Sequence, residues 1–225
     1  MACVPTPEER LTIDLPDAAG VSGAYARPAD ADRSIVVAHG AGAGMDHPFM
    51  VGFSRAMNEL GVTTLRFNFP YMEAGRRSPD RPPVAVAAWR AAFDTAVARA
   101  PAGEPVWASG KSFGGRMASV AVAEGMPAAG LVFLGYPLHP PGKPERVRDE
   151  HLYAIEVPML FLQGTKDPFA TPAVLAPVIE RLGARATLDA IEGGGHSLER
   201  SRKDDPRETG AALAPIAAGF MRETR

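Results

Sequence analysis

The feature that most restricts this chain is the run Ile35-Val36-Val37-Ala38, continuously apolar and halted at His39-Gly40. With no polar residue at alternate positions, such a strand has to be covered on both faces, and a parallel sheet flanked by helices provides that cover. The pattern recurs. Residues 62–67, 106–109, 131–134, 159–162 and 186–191 read as further strands, with helical patterns between them. Phe49, Phe53, Met57 and Leu60 mark one helical face closed by Gly61, and Trp89, Phe93, Val97 and Ala100 mark a second. Residues 116–124 predict a helix stopped by Gly125 and Pro127, residues 174–182 predict another, and Leu213, Ile216, Ala217 and Phe220 stripe a terminal one. Two weaker strands, at residues 11–15 and 21–27, are expected to pair as an antiparallel edge. The expected fold class is α/β: a doubly wound, mostly parallel sheet with helices on both faces.

A chain of 225 residues, 46% of them apolar, can bury one substantial core. No repeat, low-complexity linker or composition break divides it, so residues 1–225 read as a single domain. Lys and Arg number 24 against 26 Asp and Glu, a formal net charge of −2, which draws the protein neither to nucleic acid nor to an anionic membrane. Assembly into a homo-oligomer is compatible with these bulk properties. The one cysteine, Cys3, excludes an intramolecular disulfide framework, and residues 1–10 hold no apolar signal core, so a cytoplasmic location is expected. The most irregular stretches, residues 68–83 and 137–144, are expected to border a site, because open α/β sheets bind ligands beyond the carboxyl ends of their strands.

Between a strand and a helix stands Gly110-Lys111-Ser112-Phe113-Gly114. A serine at the apex of so sharp a turn is held in a strained backbone conformation with its hydroxyl lifted clear of the sheet, and the flanking glycines relieve the crowding. Two other readings compete. Gly110-Lys111-Ser112 ends like a phosphate-binding loop, but the first glycine of that motif would fall on Pro105, and Val106-Trp107-Ala108 is strand-like. Gly40-Ala41-Gly42 likewise leads to Met45 where a dinucleotide fingerprint needs glycine or alanine. Neither nucleotide motif is complete, and no cofactor or metal is expected. The remaining alternative for Ser112 is an ordinary helix cap.

A serine hydroxyl becomes nucleophilic when a histidine takes its proton and a carboxylate fixes that histidine. His196, in Gly193-Gly194-Gly195-His196-Ser197, is the one histidine downstream of both Ser112 and a well-placed acid. That acid is Asp167 in Gln163-Gly164-Thr165-Lys166-Asp167-Pro168, directly after a strand, although an aspartate before proline also makes a simple turn. Asp149, Glu150 and Glu192 sit less well relative to strand ends. The order Ser, Asp, His is that of the serine-turn hydrolases. An oxyanion hole needs two backbone N–H groups: the residue after the nucleophile nominates Phe113, and the loop His39-Gly40-Ala41-Gly42-Ala43-Gly44 nominates Ala41. His39 itself reads as a brace for that loop, and His47, His139 and His151 as surface or loop residues.

With these elements the chain resembles the dienelactone-hydrolase-like branch of the α/β-hydrolase superfamily, from about Ser34 to the terminal helix. Gly110-Lys111-Ser112-Phe113-Gly114-Gly115-Arg116, Asn68-Phe69-Pro70-Tyr71 and Gln163 to Phe169 look like a compact group related to the third subunit of the NSL chromatin complex and its bacterial relatives. Dienelactone hydrolases use a cysteine where this chain has Ser112, so the resemblance transfers no substrate. Some eukaryotic members of the compact group are regarded as scaffolds, which keeps a protein-binding role open beside the enzymatic one. Residues 137–156 are too few for a multi-helix lid, so the cleft is expected to be open and its substrate a small acyl ester, with thioesterase and peptidase chemistry sharing the same machinery. Arg76, Arg77 and Arg81 read as solvated loop charges offset by Glu73 and Asp80. Lys111 either tunes the charge near Asp167 or pairs with an acid nearby.

Overall fold

The computed structural model describes residues 6–16 and 18–224, so Cys3 lies outside the described residues. Eight strands form one sheet: β1 (Glu9–Leu15), β2 (Ala18–Ala26), β3 (Arg33–Ala38), β4 (Val62–Phe67), β5 (Val106–Lys111), β6 (Leu131–Leu134), β7 (Met159–Gly164) and β8 (Ala186–Ile191). Their spatial order is β1-β2-β4-β3-β5-β6-β7-β8. β1 and β2 pair antiparallel, with Thr12 opposite Ser22, and β2 joins β4 antiparallel. From β4 to β8 every pairing is parallel. This is the α/β-hydrolase fold, a mostly parallel sheet with an antiparallel edge.

Six α-helices connect the strands: α1 (Pro48–Glu59), α2 (Pro70–Glu73), α3 (Pro82–Arg99), α4 (Phe113–Ala123), α5 (Pro172–Leu182) and α6 (Pro206–Glu223). Four of the five long ones begin on proline, whose fixed φ suits a first turn that has no N–H acceptor to lose. The side chains of β3 show how the two faces are filled. Ile35 and Val37 pack with Phe49, Phe53 and Met57 of α1 and Leu213 and Ala217 of α6. Val36 and Ala38 point the other way, into Trp89 and Phe93 of α3, Met117 of α4 and Leu175 of α5. Each large side chain so buried contributes roughly 2–3 kcal/mol against exposure to water.

Several boundaries differ from the sequence reading. α4 starts at Phe113 rather than at Arg116, immediately after the serine, because the elbow converts strand to helix in a single residue. The irregular stretch after β4 contains the one-turn helix α2, and β7 continues through Gln163 and Gly164. Between β6 and β7 residues 137–156 hold one 3₁₀ turn, Glu150–Ala154, and no α-helix, so no helical lid stands over the carboxyl end of the sheet there. No helix among the described residues is long and apolar enough to cross a membrane.

Candidate active site

The carboxyl ends of β3, β5, β6 and β7 and the loop after β8 converge on Ser112. Its backbone sits at φ 49° and ψ −115°, a strained conformation that only a closely packed turn can hold. The packing is tight enough to require glycine on both sides. A Cβ on Gly110 would stand 2.4 Å from the backbone of Gly114 and Gly115, and one on Gly114 would stand 2.6 Å from the carbonyl oxygens of Ala38 and His39. The helix-cap alternative fails on the hydrogen bonding, since the Ser112 side chain makes no cap bond to α4. Its Oγ instead lies 2.8 Å from His196 Nε2.

The other two residues fall in line behind it. His196 Nδ1 is 2.8 Å from Asp167 Oδ2, so Nδ1 carries the proton that the carboxylate accepts and Nε2 is left free to accept from the serine hydroxyl. Asp167 is fully buried, and a buried carboxylate needs its lone pairs satisfied. Oδ1 accepts from the Phe169 N–H at 2.8 Å, and Oδ2 accepts a second bond from the Gln163 side-chain amide at 2.5 Å. The Gln163 amide is itself fixed, because its Oε1 accepts from the Tyr136 N–H at 2.7 Å. Of the competing acids, Asp149 bonds Tyr153 and Glu192 bonds Thr165, and neither contacts His196.

The histidine arrives on a tight turn. Gly195 N–H donates to the Glu199 carbonyl at 2.8 Å, with buried Leu198 at φ 65° between them. The aromatic ring of Phe169 lies 4.4 Å from that of His196 and walls one side of the cleft. Phe113, against Phe69 and Tyr71, walls the other.

The loop after β3 lies against the elbow: a Cβ on Gly40 would be 3.5 Å from the Ser112 Cβ. It is braced by a fully buried His39, whose Nδ1–H donates to the Gly40 carbonyl at 2.8 Å while Nε2 accepts from the Phe69 N–H at 3.1 Å. Tyr71 donates to the same carbonyl at 3.2 Å. Burial holds His39 down at about 4, so it stays neutral and can keep both roles. Phe113 is the first residue of α4, and its N–H has no acceptor four residues back. Ala41 follows the braced Gly40 and is exposed at the cleft.

Of the histidines read as surface or loop residues, one is a buried loop residue and one is half-buried. His139 is buried in the loop after β6, and His151 Nε2 is 2.8 Å from Ser119 Oγ and 3.1 Å from the Tyr136 hydroxyl. His47 is exposed and caps α1 through Nδ1. Arg76 pairs with Asp80 at 2.6 Å on the exposed loop that also carries Arg77 and Arg81. Gln163 is the member of the site that sequence reasoning left without a role. Its signal was its place at the end of β7, four residues before the acid.

A family model described as "Alpha/beta hydrolase domain" matches residues 31–222. Among solved structures, a dienelactone hydrolase from Anabaena variabilis is 20% identical, with a TM-score of 0.77 over 98% of this chain and 99% of that one. A lidless α/β serine hydrolase from Xanthomonas campestris is 22% identical, with a TM-score of 0.75 over 98% and 97%. An α/β serine hydrolase homologue from Coxiella burnetii is 17% identical, with a TM-score of 0.74 over 98% and 100%. At these identities the likeness is one of fold.

Proposed function

The chain belongs to the α/β-hydrolase domain family, and from that membership we propose that it is a serine hydrolase cleaving small, soluble acyl esters through Ser112, His196 and Asp167. The observation that carries the reading is the unbroken hydrogen-bond chain from Ser112 Oγ through the His196 ring to Asp167, with the serine backbone strained at the head of a helix. Ser112 Oγ attacks the acyl carbon while its proton passes to His196 Nε2. Asp167 steadies the imidazolium so formed. The carbonyl electron pair moves onto oxygen, held by the N–H groups of Phe113 and Ala41, and returns as the alkoxide leaves with the proton from His196. Water then gives a proton to His196 and its oxygen to the acyl carbon, releasing the acid and restoring Ser112.

The lidless cleft supports small substrates, because an uncovered site offers little apolar surface to a long acyl chain. Esters, thioesters and peptides share this chemistry, and the ester is the reading we adopt. A single domain over residues 1–225, a cytoplasmic setting and kinship with the NSL-subunit group belong to the same proposal. The test is a fluorophosphonate probe. Wild-type protein should be labelled covalently at Ser112, and Ser112→Ala should abolish labelling while the circular dichroism spectrum is unchanged. Folded wild type that resists the probe would point to a protein-binding scaffold instead.

A further inference from the structure

One helical turn beyond the nucleophile stands Arg116, whose backbone N–H donates to the Ser112 carbonyl at 3.0 Å. Residues four apart share a helix face, and a helical side chain leans toward the N-terminus of its helix, so the Arg116 stem points back toward the cleft. The guanidinium it carries is unusual in this molecule. Arg27, Arg33, Arg66, Arg90 and Arg185, the other arginines that are not exposed, each donate to a carboxylate or a backbone carbonyl. Arg116 donates to neither among the described residues. Its Nε is enclosed without an acceptor, whereas the two terminal nitrogens of the half-buried side chain are not closed off.

The surroundings supply no counter-charge. Burial lowers the Arg116 pKa, the Tyr136 hydroxyl opposes that shift, and the charge of a second arginine, Arg148, adds to it. His151, in the same corner, is held neutral at about 4 by burial first and then by Arg116. Asp149, next to Arg148 in the chain, is turned instead to the Tyr153 hydroxyl. Arg148 is exposed and makes no ion pair among the described residues. Its segment is nevertheless tied to the cleft: the Arg148 N–H donates to the Leu138 carbonyl at 2.8 Å, and the Leu138 N–H donates to the Phe169 carbonyl at 3.0 Å. Phe169 is the residue whose ring lies against His196.

Two neighbouring guanidiniums beside a cleft, with no acid between them, call for an anion from outside. A carboxylate brings one charge and two oxygens, which a single guanidinium fork already engages. A phosphate monoester brings three terminal oxygens and up to two charges, enough for both forks.

We propose that Arg116, assisted by Arg148, selects acyl esters that carry a phosphate monoester, its terminal nitrogens binding the phosphate while the acyl carbon lies at Ser112. This deepens the serine-hydrolase reading and rests on it.

The test compares 2-acetoxyethyl phosphate with 2-acetoxyethanol and 3-acetoxypropanoate, the same acetyl ester with a dianionic, a neutral and a monoanionic end, by acetate release at about pH 8. We expect kcat/KM for the phosphate to exceed that of either other ester by about tenfold or more. Arg116→Gln should shrink that ratio by about tenfold or more, whereas a merely structural role would lower all three rates together. Arg148→Gln, at an exposed position, carries the test if Arg116→Gln does not fold. Arg55→Gln removes the same charge from the exposed face of α1, across the sheet, and should leave the ratio as it is. Equal kcat/KM for the three esters, an equal preference for 3-acetoxypropanoate, or a ratio unchanged in folded Arg116→Gln would overturn the proposal and leave the hydrolase reading standing. Calorimetry with inorganic phosphate separates the two failures. Saturable binding that weakens about tenfold in Arg116→Gln, in a protein that turns over no ester, would keep the phosphate site and remove the hydrolase reading. No turnover and no saturable binding up to about 20 mM would overturn both.

Discussion

Two serines in this molecule hydrogen-bond to a histidine at 2.8 Å, and only their surroundings separate them. Ser119 is fully buried, its hydroxyl also donates to the Arg116 carbonyl at 2.8 Å, and no carboxylate bonds the His151 ring among the described residues. Ser112 has a strained backbone, an open cleft and an acid behind its histidine. Ser119→Ala should therefore leave probe labelling intact and lower stability by about 1–2 kcal/mol, read as a shift in the urea midpoint. The residues of the proposed triad were legible in the sequence because each sits in a glycine-flanked loop just after a strand. Gln163 and His151 were not, since their partners lie 27 and 32 residues away in Tyr136 and Ser119 and no local pattern announces them. Gln163 is a positioning residue: replacing it by leucine removes one of the bonds that aim Asp167 and strands the Tyr136 N–H. For Gln163→Leu we expect kcat on a short ester to fall about 10–100-fold with KM nearly unchanged. A proportionate rise in KM with kcat intact would instead mean a substrate contact.

At the scale of elements, the strands were legible because burial on both faces writes a strand as an uninterrupted apolar run, as in residues 131–134 and 159–162. Helix boundaries were less so. Periodicity locates the apolar face of a helix, whereas its first residue depends on turn chemistry that a hydrophobic stripe does not contain, hence the three-residue error at α4. Contacts between distant helices leave even less trace. Gly52 in α1 and Gly210 in α6 read locally as weak points, for glycine loses more backbone entropy in a helix than alanine does. In the fold they are where the two helices touch. A Cβ on Gly52 would lie 2.0 Å from the Arg207 carbonyl oxygen, and one on Gly210 would lie 2.2 Å from that of Phe49. Local propensity would have Gly52→Ala stabilise α1 by up to about 1 kcal/mol. The tertiary contact has the opposite sign and wins, because backbone on both sides cannot yield as a side chain would. Gly52→Ala should lose about 3 kcal/mol in urea denaturation, the cost of overpacking a well-filled interface. A neutral or stabilising result would show that α1 and α6 can separate freely.

Across the whole molecule, the sequence showed how little chain was available to cover the cleft, and the structure places only a 3₁₀ turn there. The consequence for turnover is a preference for short acyl chains: kcat/KM should fall from acetyl and butyryl esters to dodecanoyl esters of the same alcohol, and a rise along that series would contradict the open cleft. The response of stability to pH also belongs to the whole fold, and its sign follows from two histidines, His39 buried and His151 half-buried. His39 and His151 are both held at about 4, below their ordinary 6.5, by burial in each case and for His151 also by the charge of Arg116. Between about 4 and 6.5 the unfolded chain takes up protons that the folded chain refuses. Folding therefore loses stability as pH falls through that window, by up to about 1.4 kcal/mol per pH unit for each histidine, and above it neither contributes to the slope. Carboxylates held down by arginines, such as Asp46 beside Arg10, lie below their ordinary 3.8 and so act in a lower range. The two effects are separable by mutation. Urea midpoints measured from pH 7 down to pH 5 should slope steeply for wild type and about half as steeply for His151→Gln, which keeps a polar partner for Ser119 but cannot take up a proton. Equal slopes for the two proteins would mean that His151 accepts its proton in the folded state, and that the pocket formed by Ser119 and Tyr136 opens to water before the fold gives way.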